Sequence, residues 1–114
     1  MKGISTHVLD LSRGRPVEGI PVRLERLATG DRWKSVGTGT TNADGRISNL
    51  FVEGEALEKG TYRLVFDTRA YLSGVSKTPF YSQIPIVFDV ADPAQHHHIP
   101  LLLSPFGYST YRGS

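Results

Sequence analysis

With 114 residues, 39% of them hydrophobic, the chain has room for one domain spanning residues 1–114 with a buried core, and is short for two. Thirteen Lys and Arg against eleven Asp and Glu leave a net charge of +2 with the basic residues scattered, so nucleic acid is not an expected partner. There is no cysteine, which removes disulfides and thiol catalysis. No apolar run reaches the roughly 20 residues of a membrane-spanning helix, and Met1-Lys2-Gly3 leads straight into a strand pattern with no apolar leader, so no membrane contact and a cytoplasmic location are expected.

Twelve Gly and seven Pro favour short strands and turns over long helices. Ile4 to Asp10 reads as the first strand, with Ile4, Thr6 and Val8 on one face and Ser5, His7 and Leu9 on the other. Asp10 to Pro16 reads as a loop. Ile20, Val22 and Leu24 alternate with Pro21, Arg23 and Glu25, the pattern of a half-buried second strand. Thr29-Gly30-Asp31 is a turn, and Arg32 to Thr40 a weaker third strand around Trp33 and Val36. Thr41 to Gly45 is a tight turn in which Asp44-Gly45 supplies positive φ. Arg46 then opens a fourth strand through Ile47 to Phe51, and Val52 to Gly60 reads as a surface loop. Tyr62, Leu64 and Phe66 share a face of a fifth strand, Thr61 to Asp67. Thr68 to Gly74 reads as a short helix with Thr68 as N-cap and Gly74 closing it. A loop around Pro79 leads to a sixth strand, Ile84 to Val90.

The last nineteen residues read as a hairpin: His96 to Leu103, a turn at Ser104-Pro105-Phe106-Gly107, then Tyr108 to Arg112. Pro105 presets its own φ, and Gly107 tolerates positive φ. Alternation puts His97, Ile99, Leu101 and Leu103 on a core face. The other face carries His96, His98, Pro100 and Leu102, with Ser109, Tyr111 and Gly113 sharing one face of the return strand. A face of His, Leu, Ser and Tyr is the wall of a ligand site or a subunit contact. About eight short strands with one brief helix predict an antiparallel sandwich.

Few residues can do chemistry. His7 on a strand face is more often a satisfied, half-buried histidine. Arg46, fixed by the preceding turn, is by sequence alone most simply a surface arginine paired with a carboxylate. His96 and His98 at i, i+2 are a plausible metal pair that His7 could complete, which would make a zinc hydrolase. The plainer alternative is a polar strand start at the surface.

These same segments carry a resemblance. His98-Ile99-Pro100-Leu101-Leu102-Leu103-Ser104-Pro105 followed by Tyr108-Ser109-Thr110-Tyr111-Arg112-Gly113-Ser114 resembles the C-terminal signature of the 5-hydroxyisourate hydrolases, the transthyretin-related enzymes of urate breakdown, whose hallmark is a final Tyr-Arg-Gly-Ser. Thr6-His7-Val8-Leu9-Asp10 is similar to that family's first strand, and Asp44-Gly45-Arg46 to the opening of its fourth. The resemblance implies an all-β, eight-stranded antiparallel transthyretin-like β-sandwich with one short helix after the fifth strand. It implies His7, Arg46 and His98 as catalytic residues, and Tyr111, Ser114 and His96 as substrate-binding ones, with no cofactor and no metal. It implies hydrolysis of 5-hydroxyisourate to 2-oxo-4-hydroxy-4-carboxy-5-ureidoimidazoline by water that a histidine activates and an arginine supports. The implied assembly is a homotetramer, a dimer of dimers, which would bury Leu9, Pro100, Leu102 and Tyr111. The alternative is a transthyretin-like small-molecule carrier without catalysis. The carrier holds Lys and Glu where this chain has His7 and Arg46, and lacks the final tetrapeptide.

Overall fold

The computed structural model describes residues 3–51 and 56–114. Chain order is β1 (Gly3–Asp10), β2 (Arg15–Pro16), β3 (Pro21–Ala28), β4 (Arg32–Thr40), β5 (Arg46–Ile47), β6 (Gly60–Asp67), α1 (Arg69–Val75), β7 (Gln83–Val90), β8 (His96–Ser104) and β9 (Gly107–Thr110). The eight expected strands are present, and the ninth, β2, is a two-residue pairing inside the predicted 10–16 loop. One sheet has the order β2-β1-β8-β9 with β5 also on β1, and the other the order β4-β3-β6-β7. The predicted loop 52–60 falls partly, and the Met1-Lys2 start wholly, outside the described residues. No described helix is long and apolar enough to cross a membrane.

The alternating apolar residues meet between the sheets. Ile4, Val8, Leu101 and Leu103 from the first sheet face Leu24, Tyr62, Leu64 and Phe66 from the second, all at most 1% exposed. Burying side chains of this size contributes about 1.5–3 kcal/mol each, so the face assignments are strongly enforced. Thr6 is also fully buried, and its hydroxyl donates to the Ile99 carbonyl at 2.6 Å, which removes the penalty of a buried polar group.

Several local features differ from the sequence expectation. β1 and β8 pair in parallel while every other described pair is antiparallel. These two strands come from opposite ends of the chain, so no hairpin sets their relative direction. The fourth strand stops at Ile47 rather than Phe51. The chain beyond it crosses β4, where a Cβ on Gly37 would lie 1.3 Å from the Leu50 carbonyl oxygen, so this passage needs glycine there. The helix runs to Val75, placing Gly74 inside its last turn, and Ser76 caps it through N–H to the Leu72 carbonyl at 2.9 Å.

The hairpin turn lies at Ser104-Pro105-Phe106-Gly107 as expected, but without the left-handed glycine. Ser104 and Gly107 pair directly across Pro105 and Phe106, and Gly107 is a strand residue that makes no use of positive φ. β9 ends at Thr110 rather than Arg112 for a reason visible in the register. Leu101 pairs with Thr110 and His98 with Gly113, so Pro100 stands opposite Tyr111. Proline has no N–H to donate there. The ladder is interrupted, and the Thr110 hydroxyl donates to the Pro100 carbonyl at 2.7 Å instead.

Candidate active site

The outward face of β1 and β8 is where the polar residues gather. His7 pairs directly with Arg46 on β5, and Ser5 directly with His98 on β8. Adjacent strands lie only about 4.8 Å apart, so alternation stacks Arg46, His7, Ser5 and His98 across three strands of one face. They line a groove of about 530 Å³, within the size range of small-ligand sites. His96, Tyr111 and Ser114 line it too, so all six sequence-selected residues stand on one surface. No Asp or Glu is among its described lining residues.

Each element is held in place by a specific local device. The Asn42 side-chain oxygen accepts from the backbone N–H of Asp44 at 2.9 Å and of Arg46 at 3.0 Å. Gly45 adopts φ of 73° and its carbonyl accepts from Val8 N–H at 2.7 Å, clamping the turn to β1. A Cβ on Gly45 would lie 2.5 Å from the Val8 carbonyl oxygen, so both conformation and space require glycine. At the far end of β1, the buried Asp10 carboxylate accepts from Ser12, Arg13 and the Tyr71 hydroxyl of α1, which docks the helix on that strand. The tail is laid along β8 by Gly113 N–H to the His98 carbonyl at 2.7 Å and by Arg112 to the Gln95 side chain at 2.9 Å.

Among the described residues no carboxylate pairs with the Arg46 guanidinium. The plain reading of Arg46 as half of a surface ion pair therefore has no geometric support. Burial, and then the Arg46 charge, hold His7 below the ordinary histidine pKa, against the opposing pull of the Asp44 carbonyl. Burial and then Arg46 act the same way on His98, with smaller contributions from His7 and His96. Both rings are therefore kept neutral near pH 7, the form able to accept a proton. His97 points to the opposite face and is 5% exposed.

Sequence reasoning missed Ser5. Its hydroxyl lies 2.7 Å from both His96 Nε2 and His98 Nδ1. The signal was present, since Ser5 shares the His7 face at i, i+2 and is only 7% exposed. The zinc reading finds no support: among the described residues no three His, Asp or Glu side chains form a ligand group, and Ser5 engages one nitrogen of each ring of the supposed pair.

The family model described as HIUase/Transthyretin matches residues 4–113. A 5-hydroxyisourate hydrolase 2 of Rhizobium meliloti (strain 1021) is 45% identical, over 97% of this chain and 95% of that one. The solved structure of Klebsiella pneumoniae 5-hydroxyisourate hydrolase superposes with a TM-score of 0.80 at 38% identity, covering 97% of this chain and 98% of that one. The crystal structure of transthyretin from Sparus aurata superposes with a TM-score of 0.89 at 32% identity, covering 99% and 97%. A match over nearly every residue of this sandwich places the chain in the HIUase/Transthyretin family.

Proposed function

We propose that this protein hydrolyses 5-hydroxyisourate, opening a carbonyl–nitrogen bond of its six-membered ring to give 2-oxo-4-hydroxy-4-carboxy-5-ureidoimidazoline. The observation that carries the reading is the gathering of two imidazoles around an arginine that has no carboxylate partner among the described residues. Water attacks the carbonyl directly, and a neutral imidazole, His7 or His98, takes its proton, a contribution of about 10²–10⁴-fold. Arg46 binds substrate oxygens and stabilises the charge that develops on the tetrahedral centre. Tyr111, Ser114 and His96 hydrogen-bond the flat, polar substrate. A carrier role is favoured by the likeness to the Sparus aurata transthyretin fold. It gives no reason, however, for neutral imidazoles beside a cation.

The working form is a homotetramer in the cytoplasm. Tyr111 is 58% exposed beside half-buried Leu9 and Leu102, an apolar rim that a neighbouring subunit would cover. Arg46→Glu tests the reading. Turnover of 5-hydroxyisourate should fall at least 100-fold while sedimentation still reports the parent assembly. Parent-like turnover would remove Arg46 from the chemistry, and loss of assembly would make it a structural residue.

A further inference from the structure

The Ser5 hydroxyl has one proton and sits between two ring nitrogens, His96 Nε2 and His98 Nδ1, each at 2.7 Å. No other described group bonds it. Buried polar hydrogens are almost always bonded, whereas an acceptor lone pair left over is better tolerated. That asymmetry decides the direction of the chain.

Four arrangements are available to neutral rings. If neither ring donates to Ser5, the proton of His96 sits on Nδ1, which is buried and has no partner among the described residues. If both rings donate to Ser5, the serine proton has no acceptor. If His98 Nδ1–H donates to Ser5 and Ser5 donates to His96, the proton of His96 moves to Nδ1. That atom is buried and has no partner among the described residues. If His96 Nε2–H donates to Ser5 and Ser5 donates to His98 Nδ1, every buried proton of the set is bonded, and only a lone pair on His96 Nδ1 is unmet.

We propose that Ser5 is a positioning residue that holds the neutral His98 ring with its proton on Nε2, facing the groove, so that His98 serves as hydrogen-bond donor and His7 as base. The proposal rests on the hydrolase reading for its catalytic half. Gly113 supports the same orientation from the other side. A Cβ there would lie 2.6 Å from His98 Cδ2, so the tail backbone packs against the Cδ2 edge of the ring.

The step balances without proton transfer at His98. His7 takes a proton from water as the oxygen bonds to the carbonyl carbon, and the carbonyl electron pair moves onto its oxygen. That oxygen receives hydrogen bonds from His98 Nε2–H and from Arg46. On collapse the carbonyl re-forms and the carbon–nitrogen bond breaks with its pair on nitrogen. The His7 imidazolium protonates that nitrogen and returns to neutral. A neutral imidazole acting as donor to a developing oxyanion is established chemistry.

The test is ¹⁵N NMR of the full-length protein with labelled histidine, His98 being assigned by the signals that vanish in His98→Asn. Protonated and unprotonated ring nitrogens differ widely in shift. The expected result is an unprotonated Nδ1 and a protonated Nε2 at His98 in the parent protein. Ser5→Ala should abolish that preference and lower kcat about 10–100-fold with little change in KM, while Ser5→Thr, which keeps the hydroxyl, should retain both. Nδ1–H at His98 in the parent overturns the proposal, as does Ser5→Ala with unaltered tautomer and kcat. The tautomer is read without substrate, so inactivity toward 5-hydroxyisourate would defeat the hydrolase reading and leave the Ser5 result standing on its own.

Discussion

Gly113 lies outside the catalytic set yet touches it, and replacing it by alanine separates chemistry from stability. The added Cβ would stand 2.6 Å from His98 Cδ2, 3.2 Å from Cγ and 3.3 Å from Cβ. Carbon atoms prefer about 3.5–4.0 Å, so ring and tail must part by about 1 Å. The ring is held on its far side by Ser5 at 2.7 Å. The tail is held by single hydrogen bonds, of which Gly113 N–H to the His98 carbonyl is the one at this point. The tail therefore yields, losing a bond worth about 0.5–1.5 kcal/mol, and Ser114 is carried off the groove. Displacement of a positioning group by about 1 Å is enough to lower a rate about 100-fold. Steady-state decay of freshly made 5-hydroxyisourate, followed in the ultraviolet, should show that fall in kcat, while urea unfolding shows a loss of no more than about 1.5 kcal/mol. A kcat within twofold of the parent would refute the idea that the tail shapes the site. Destabilisation by several kcal/mol would make Gly113 a folding residue instead.

Two further perturbations bear on the same account. Gly45→Ala should destabilise by about 2–3 kcal/mol, combining the left-handed backbone penalty with the clash on the Val8 carbonyl, and should depress turnover by loosening Arg46; a melting temperature equal to the parent's would contradict this. Stability should also depend on pH in a defined window. His7, His97 and His98 all have pKa values lowered in the fold. The unfolded chain therefore binds more protons as pH falls below about 6.5, so stability is full above that value and declines as pH drops through the folded pKa values. Denaturation midpoints at pH 7.5 and pH 5.5 measure this directly, and a protein equally stable or more stable at the lower pH would show that those rings are not kept neutral by the fold.

Much of this architecture was legible because side-chain alternation leaves a direct mark on sequence. Placing His97 inward and His98 outward needed only the period of two, and β4 was delimited correctly at Arg32–Thr40. What alternation does not encode is which strands become neighbours. The parallel pairing of β1 with β8 brings Ser5 opposite His98, across 93 positions of chain. No local pattern announces that meeting, so Ser5 was read as one more polar residue on a strand face. The early end of β9 was legible in principle. Pro100 could be seen to lack a donor, but which partner would miss it depended on the register. Arg46 is the opposite case, since its turn was evident while its want of a carboxylate partner among the described residues emerged only from the assembled groove.

The central claim is hydrolysis, and the most direct measurement is the ultraviolet decay of freshly generated 5-hydroxyisourate with and without the protein, in the presence of a strong chelator. The account predicts decay faster than the spontaneous rate, proportional to protein concentration and unchanged by chelator. Decay at the spontaneous rate, from a protein shown to be assembled in solution, would contradict it and leave the carrier reading in its place.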